Sequence, residues 1–333
     1  MESPEARPLL LADAGSDTSA TAVPDRIDVP VALAASHGKF FGARGLPWIA
    51  AVPKLAAYCL DRWNLRSDGP PISGAVALVV PVLRANGTPA ALKLQPVDEE
   101  TFGEPIALRA WDGCGSVRLL EHDPASGSML LERLDATRPL ATVDDDLVAL
   151  AIICDLLARL NAVAAPAGLR RLTDVASVML DRVPRALTLP GGPPQRQLVE
   201  ACAGMVRELL PESGDRLLHL DLHYYNVLAP RTSNLREPWL AIDPKPLAGD
   251  PGFELLPALH NRWDDVVATG DVARAVRRRF DLMTETLCLD RERATGWVLG
   301  RILENVLWDL EKGDTTVHTE PDRAVAQILL GVD

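Results

Sequence analysis

The hydrophobic pattern changes period near Leu134, and this shift places strands mainly before that point and helices mainly after it. Ala75–Leu83 and Pro89–Leu94 are apolar runs rich in β-formers, joined by Ala85-Asn86-Gly87-Thr88. Asn-Gly between two such runs is a strong two-residue hairpin signal. Pro81 is expected at a sheet edge or bulge, because it has no N–H to give a ladder. Two more strands are expected over Val117–Leu120 and Ser128–Glu132, and helices over Pro47–Trp63 and Glu99–Trp111. Pro105 must lie in the first turn of the second helix or kink it. Beyond Leu134, helical spacing predicts Asp144–Val163, Leu172–Val183, Gln195–Leu210, Val266–Leu287 and Arg291–Asp309. Acids gather in the first turn at Asp144, where the helix dipole favours them. Leu187–Pro194 reads as a Pro/Gly loop between two helices.

A chain of 333 residues can bury a large core and has room for two lobes. No apolar run approaches the roughly 20 residues that span a bilayer. Leu9-Leu10-Leu11 is too short for a signal-peptide core and is followed by Asp13, so a cytoplasmic location and no membrane partner are expected. Residues 1–26 read as a flexible tail rich in Ser, Thr, Ala, Pro and acids. Cys59, Cys114, Cys154, Cys202 and Cys288 show no Cys-x-x-Cys spacing, so they read as reduced and mostly core residues. The formal charge of −12 disfavours nucleic acid and suits a polycationic ligand. The sequence is silent on oligomeric state.

The chemistry is concentrated in His219-Leu220-Asp221-Leu222-His223-Tyr224-Tyr225-Asn226 and in Trp239-Leu240-Ala241-Ile242-Asp243-Pro244. Phosphoryl transfer needs a carboxylate beside the attacking hydroxyl and oxygen ligands for Mg²⁺ on the nucleotide phosphates. His219, Asp221 and Asn226 match the kinase pattern His-Arg-Asp-x-x-x-x-Asn, with Leu220 in place of Arg. Apolar flanks on both sides suggest a loop between two short buried strands. Asp221 is the candidate base or hydroxyl-orienting carboxylate, while Asn226 and Asp243 are the candidate metal ligands. His219 reads as a scaffold residue, and His223 is as easily a loop pin as a site group. Lys93, in Ala90-Ala91-Leu92-Lys93-Leu94, needs an anionic partner if buried. Glu104 is the first choice for that partner and Glu100 its competitor.

These segments resemble the aminoglycoside phosphotransferases, and within them the streptomycin- and hydroxyurea-phosphorylating kinases. The likeness runs from about Ile27 to Leu330 and includes Leu108-Arg109-Ala110-Trp111, Leu130-Leu131-Glu132-Arg133-Leu134 and Asn305-Val306-Leu307-Trp308-Asp309. It implies an α+β, protein-kinase-like bilobal fold, with a β-rich nucleotide-binding lobe over 27–134 and a mainly helical catalytic and substrate-binding lobe over 135–333. It also implies ATP and Mg²⁺ as cofactors and an aminoglycoside hydroxyl, the 6-hydroxyl of streptomycin, as acceptor. The consequence would be antibiotic resistance or self-protection. Another small alcohol or hydroxyurea is the alternative acceptor, and a nucleotide-binding pseudokinase is a second alternative. Lys93 would meet the α/β-phosphates, Ser73 and Gly74 would cap phosphate with backbone N–H groups, and Glu132 and Leu134 would lie at the adenine connector. Ser73-Gly74 is nearly as readable as a plain turn, since no Gly-rich loop surrounds it. Guanidinium groups of streptomycin call for carboxylates. Asp309 leads these, with Glu304, Glu254, Asp264 and Asp265, and with Trp308 and Trp263 as stacking walls. Asp250 reads as a clamp on the loop after Asp243.

Overall fold

A computed structural model of the chain describes residues 27–189, 193–231, 236–311 and 320–332. The tail expected over 1–26 lies outside the described residues. The chain forms two compact units. Among the described residues, one contains 27–113 and Val117–Leu134, the other Cys114–Ser116 and those from Asp135 on.

The first unit opens with helices α1 (Val31–Phe41) and α2 (Leu46–Arg62). Strands β1 (Leu65–Ser67), β2 (Ile72–Ser73), β3 (Leu78–Arg84) and β4 (Pro89–Leu94) follow. Helix α3 (Glu104–Trp111) and strands β5 (Leu119–Asp123) and β6 (Ser128–Glu132) complete it. The antiparallel sheet runs β1-β3-β4-β6-β5, with β2 also paired to β3. The Asn86-Gly87 hairpin forms as expected, with Gly87 at φ +78°. Leu33, Val52, Ala56 and Cys59 of the two helices pack on Leu78, Val80, Leu92 and Leu94 of the sheet.

Pro81 departs from expectation. It sits inside β3, a central strand, opposite Ala91. Its carbonyl accepts from Asp68 N–H at 2.8 Å, so the ring nitrogen faces the same side, where β1 has ended and β2 has not begun. The missing donor therefore meets a break in the ladder. The expected helix over 99–111 starts only at Glu104, with Pro105 in its first turn, where a missing N–H costs nothing.

Strand β7 (Leu134–Pro139) carries the chain into the second unit, followed by α4 (Asp146–Leu160), α5 (Leu172–Ala186) and α6 (Pro193–Leu209). Asp145 caps α4 by accepting from Leu147 and Val148 N–H. Then come β8 (Arg216–Leu218), β9 (Val227–Pro230), β10 (Leu240–Ala241), β11 (Leu247–Gly249) and the short α7 (Leu256–His260). Helices α8 (Trp263–Ala268), α9 (Val272–Thr286), α10 (Arg291–Glu311) and α11 (Glu320–Leu330) close the unit. The helix expected over 266–287 is two helices. Gly270 turns at φ +74° and Asp271 recaps the chain by accepting from Arg274 N–H at 3.0 Å.

Helix α10 is the axis of this unit. Trp297 is fully buried against Phe253, edge to face at 5.9 Å. Gly296 lets α6 approach closely, since a Cβ there would stand 2.6 Å from Leu209 Cδ1. Cys154 and Cys202 are buried here and Cys59 in the first unit, whereas Cys114 and Cys288 are exposed, so the expected core placement holds for three of the five.

Candidate functional site

In the first unit, β4 and α3 bring one ion pair together. Lys93 Nζ donates to Glu104 Oε1 at 2.7 Å and Oε2 at 2.8 Å, and Gln95 Nε2 donates to Oε2 at 2.6 Å. Both charged side chains are almost wholly buried. The late start of α3 selects Glu104 over Glu100, whose N–H is instead held by Asp98 in the preceding turn. Breaking such a pair by removing one partner leaves a buried charge, at a cost of about 3–5 kcal/mol. Ser73 ends β2, and the turn to β3 is closed by Gly74 N–H donating to Ala77 O at 2.9 Å. Glu132 accepts from Arg118 N–H at 2.8 Å through its carboxylate, and Leu134 is buried at the end of the unit.

In the second unit, residues 219–226 run as a loop between β8 and β9, as expected, although these strands pair with β11 and with β10 and β7 rather than with each other. His219 is fully buried, and burial, against the attraction of Asp221 and Asp243, lowers its pKa to about 4. It is thus a neutral ring in which Nε2–H donates to Ile242 O at 3.1 Å and Nδ1 accepts from Asp221 N–H at 3.4 Å. That ring ties the Asp221 loop to the segment carrying Asp243. Leu220 and Asp243 both adopt left-handed backbone, at φ +67° and +58°, and Asp243 does so directly before Pro244. Strain of this kind costs on the order of 1–3 kcal/mol per residue and persists only where surroundings over-determine it.

Glu254 supplies part of that determination. Its Oε2 accepts from His219 N–H at 2.7 Å and Leu220 N–H at 3.0 Å. The residue has no exposed surface, and burial raises its pKa to about 7 despite those two donors. The guanidinium contact expected of Glu254 is therefore corrected: its carboxylate is committed to the loop backbone and does not face solvent.

Asp221 is buried, with Oδ2 2.8 Å from Lys245 Nζ and Oδ1 3.9 Å from His223 Nε2. Burial alone would raise its pKa, but Lys245 and then His223 outweigh it and hold the carboxyl below its usual value. His223 itself is lowered by burial, against the pull of Asp221. Asn226 Nδ2 donates to the Asp221 carbonyl at 2.8 Å, which turns Oδ1 into the atom the side chain can offer elsewhere. Asn226 O accepts from Ile242 N–H at 2.9 Å, so the two metal-candidate segments are joined by backbone as well. Among the described residues no group of three or more His, Cys, Asp and Glu could hold a metal by itself. One amide oxygen and one carboxylate suit Mg²⁺, which keeps most of its coordination for water and phosphate oxygen.

Lys245 is the functional candidate that sequence reasoning missed. The signal was present in Pro244-Lys245-Pro246, where the flanking prolines restrict the chain to extended conformations. A second missed group is Asp322 of α11, which is buried between His260 Nδ1 at 2.5 Å and Asn305 Nδ2 at 2.7 Å. It fixes the part of α10 that carries Trp308 and Asp309, both half-buried. Glu304 is paired with Arg301 one turn earlier, and Asp265 with Arg262. Asp264 is exposed in the first turn of α8. Trp263 is buried with no hydrogen-bond partner for its Nε1–H among the described residues. Asp250 clamps its loop as expected, accepting from Gly252 N–H at 2.8 Å and Arg293 Nε at 2.6 Å.

The fold is that of the protein-kinase-like small-molecule kinases. A thermostable mutant of the aminoglycoside phosphotransferase APH(4)-Ia, solved with ADP and hygromycin B, superimposes with a TM-score of 0.56 at 15% identity, over 82% of this chain and 97% of that one. A choline/ethanolamine kinase family protein from Mesorhizobium loti gives 0.53 at 19% identity, over 85% and 90%. The sequence is more specific: residues 62–313 match the aminoglycoside/hydroxyurea antibiotic resistance kinase family, and the chain belongs to it. Streptomycin 6-kinase from Streptomyces glaucescens is 56% identical over 291 residues, 87% of this chain and 94% of that protein. Hydroxyurea phosphotransferase from Kitasatospora aureofaciens is 50% identical over 307 residues, 92% of this chain and 86% of that one.

Proposed function

We propose that this chain transfers the γ-phosphoryl group of ATP to a hydroxyl of an aminoglycoside, the 6-hydroxyl of streptomycin, and so inactivates the drug. The observation that carries the reading is the Asp221 carboxylate, buried with one oxygen held by Lys245 inside a loop that also presents Asn226, in a chain 56% identical to a streptomycin 6-kinase. Asp221 Oδ1, the oxygen Lys245 leaves open, orients the acceptor hydroxyl and receives its proton. A carboxylate held at low pKa is a weak base at rest, so the proton moves late, as the hydroxyl oxygen bonds to phosphorus. Asn226 Oδ1 and Asp243 are the residues that would hold Mg²⁺, which when bound screens the charge of the phosphate oxygens. Lys93 meets the α/β-phosphates, fixed in place by Glu104 and Gln95. Ser73 and Gly74 cap phosphate, and the segment from Glu132 to Leu134 borders the adenine.

On the acceptor side, Asp309 and Trp308 receive a guanidinium group, with Glu304, Trp263 and Asp264 as further contacts. Hydroxyurea is the second acceptor to consider, because a hydroxyurea phosphotransferase is 50% identical over most of the chain. The reading places the reaction in the cytoplasm, where ATP is supplied. Among the described residues no helix is long and apolar enough to cross a membrane. The deciding experiment is ATP consumption by the purified protein with streptomycin, other aminoglycosides, simple sugars or hydroxyurea, with the phosphorylated position assigned by NMR. Streptomycin 6-phosphate as the main product supports the reading. Turnover with hydroxyurea alone would replace the acceptor, and no acceptor-dependent turnover at all would overturn it.

A further inference from the structure

Residues 27–61 precede the part of the chain that matches the kinase family, which begins at residue 62. Helix α1 nevertheless reaches the turn between β2 and β3. Ser36 Oγ donates to the Ala75 carbonyl, and His37 Nε2 lies 2.8 Å from the Val76 carbonyl. The His37 ring is fully buried, stacked parallel on Trp48 at 4.6 Å and tilted against Phe41 at 5.0 Å. Gly45 closes the α1–α2 turn directly onto it, since a Cβ there would stand 3.0 Å from His37 O and 3.2 Å from His37 Cβ. Nδ1 of the same ring has no hydrogen-bond partner among the described residues. A buried ring nitrogen left unsatisfied is costly, so the bond to Val76 is what this histidine supplies in return.

Peptide planarity makes these contacts a constraint on the turn. In a trans peptide the N–H points opposite to the C=O. With the Ala75 and Val76 carbonyls both drawn toward α1, the N–H groups of Val76 and Ala77 point away from it. Consecutive N–H groups aimed one way form a concave donor site for anionic oxygen. The turn also lies at the Lys93 end of the sheet. Ile72 pairs with Val79 and Val79 with Lys93, so Lys93 is two strands from β2, about 10 Å at ~4.8 Å per strand.

We infer that Ser36 and His37 are positioning residues for nucleotide phosphate, holding the 73–77 turn so that the N–H groups of Val76 and Ala77 join Ser73 and Gly74 in receiving it. The inference rests on the phosphotransferase reading only in requiring that this turn meets phosphate.

The test compares ADP with adenosine, titrated into the full-length protein without any acceptor. The variants are Ser36→Ala, His37→Phe and the double variant; Phe retains the ring on Trp48 and removes the bond to Val76. The double variant should bind ADP roughly 5- to 20-fold more weakly, the scale of one or two lost hydrogen bonds, while adenosine affinity changes less than about twofold. KM for ATP should rise in parallel and KM for the acceptor should not. Equal losses for ADP and adenosine would reduce the two residues to general support of the unit, and unchanged ADP affinity would remove them from any role at the turn. Both results overturn the inference. If the parent protein binds ADP with the expected split but phosphorylates no aminoglycoside, the proposed acceptor fails and this inference stands.

Discussion

Two lysine–carboxylate pairs, one in each unit, use the same charges to opposite ends. In Lys93–Glu104 both carboxylate oxygens accept from the ammonium, Gln95 takes up more of the remaining capacity, and the side chains are 5% and 1% exposed. In Lys245–Asp221 a single oxygen is engaged, the other lies 3.9 Å from His223, and the lysine side chain is 25% exposed. The first arrangement immobilises an ammonium by saturating its partner. The second leaves a carboxylate oxygen uncommitted while a neighbouring charge keeps it ionised. Saturation suits a group that only has to be in place; an open oxygen suits a group that has to accept a proton.

Neutralising the open carboxylate should have the largest effect. Asp221→Asn keeps shape and most hydrogen bonds but removes the proton acceptor, so kcat should fall roughly 10²- to 10⁴-fold with ADP affinity nearly unchanged. Steady-state kinetics and nucleotide titration on the same preparation check this. Near-parental kcat would mean that the open oxygen of Asp221 takes no part in the chemistry.

The saturated pair should show itself in stability. Glu104→Ala strands the Lys93 ammonium in an apolar sheet and should remove about 3–5 kcal/mol of unfolding free energy, together with nucleotide affinity. Lys245→Ala should remove less than about 2 kcal/mol, because Lys245 is partly solvated and His223 remains beside Asp221. Urea denaturation of both variants measures the contrast. Equal losses would erase the distinction between a fixing pair and a working one.

Much of this comparison was legible in the sequence, and the gaps have physical causes. Lys93 announced itself as a cation in an apolar strand, and the Asp221–Asn226 spacing and the Asp243 strand end are local patterns. Glu104 over Glu100 was not readable, because the choice depends on where α3 starts relative to Pro105. The role of Lys245 is not carried by local pattern, because its partner is 24 residues earlier in the chain and only the fold joins them. From the sequence Glu254 reads as a carboxylate open to a guanidinium group, yet it is buried under the Asp221 loop, a placement that no periodicity encodes. The break at Gly270 was readable from Gly270-Asp271, a stop followed by a cap, and the continuous apolar spacing on either side obscured it.

Lys245 also sets the pH range of the reaction. Burial pushes the Asp221 carboxyl up, and Lys245 and His223 pull it below its usual value. In the parent protein Asp221 therefore stays ionised throughout the mildly acidic range, and kcat/KM should be flat there as far as this group is concerned. Without Lys245 the burial effect is less opposed, so Asp221 would be protonated at higher pH and the acid limb of the profile should move upward. The measurement is kcat/KM between pH 5 and 8 for Lys245→Ala and the parent, and coincident acid limbs would assign the low pKa to another partner.

The smallest expected effect concerns the residue beneath the working pair. Glu254 titrates at about 7 in the folded protein, against an ordinary value of 4.5, because burial outweighs the His219 and Leu220 N–H groups. A carboxyl raised on folding contributes stability that is complete below its unfolded pKa and is lost as pH rises through the folded one. Glu254 should therefore cost the fold progressively more between pH 4.5 and 7, and a constant amount above. Glu254→Gln retains an oxygen that can accept from both backbone N–H groups and carries no charge at any pH. Its unfolding free energy relative to the parent should improve by on the order of 1–3 kcal/mol between pH 5 and 8, whatever fixed difference the amide introduces. The Asp221 contribution runs the other way: its lowered pKa gives stability that disappears only as pH falls, below the window where Glu254 titrates. A pH-independent difference between the Glu254→Gln variant and the parent would show that Glu254 is already ionised at pH 5, and that the donors at His219 and Leu220 outweigh its burial.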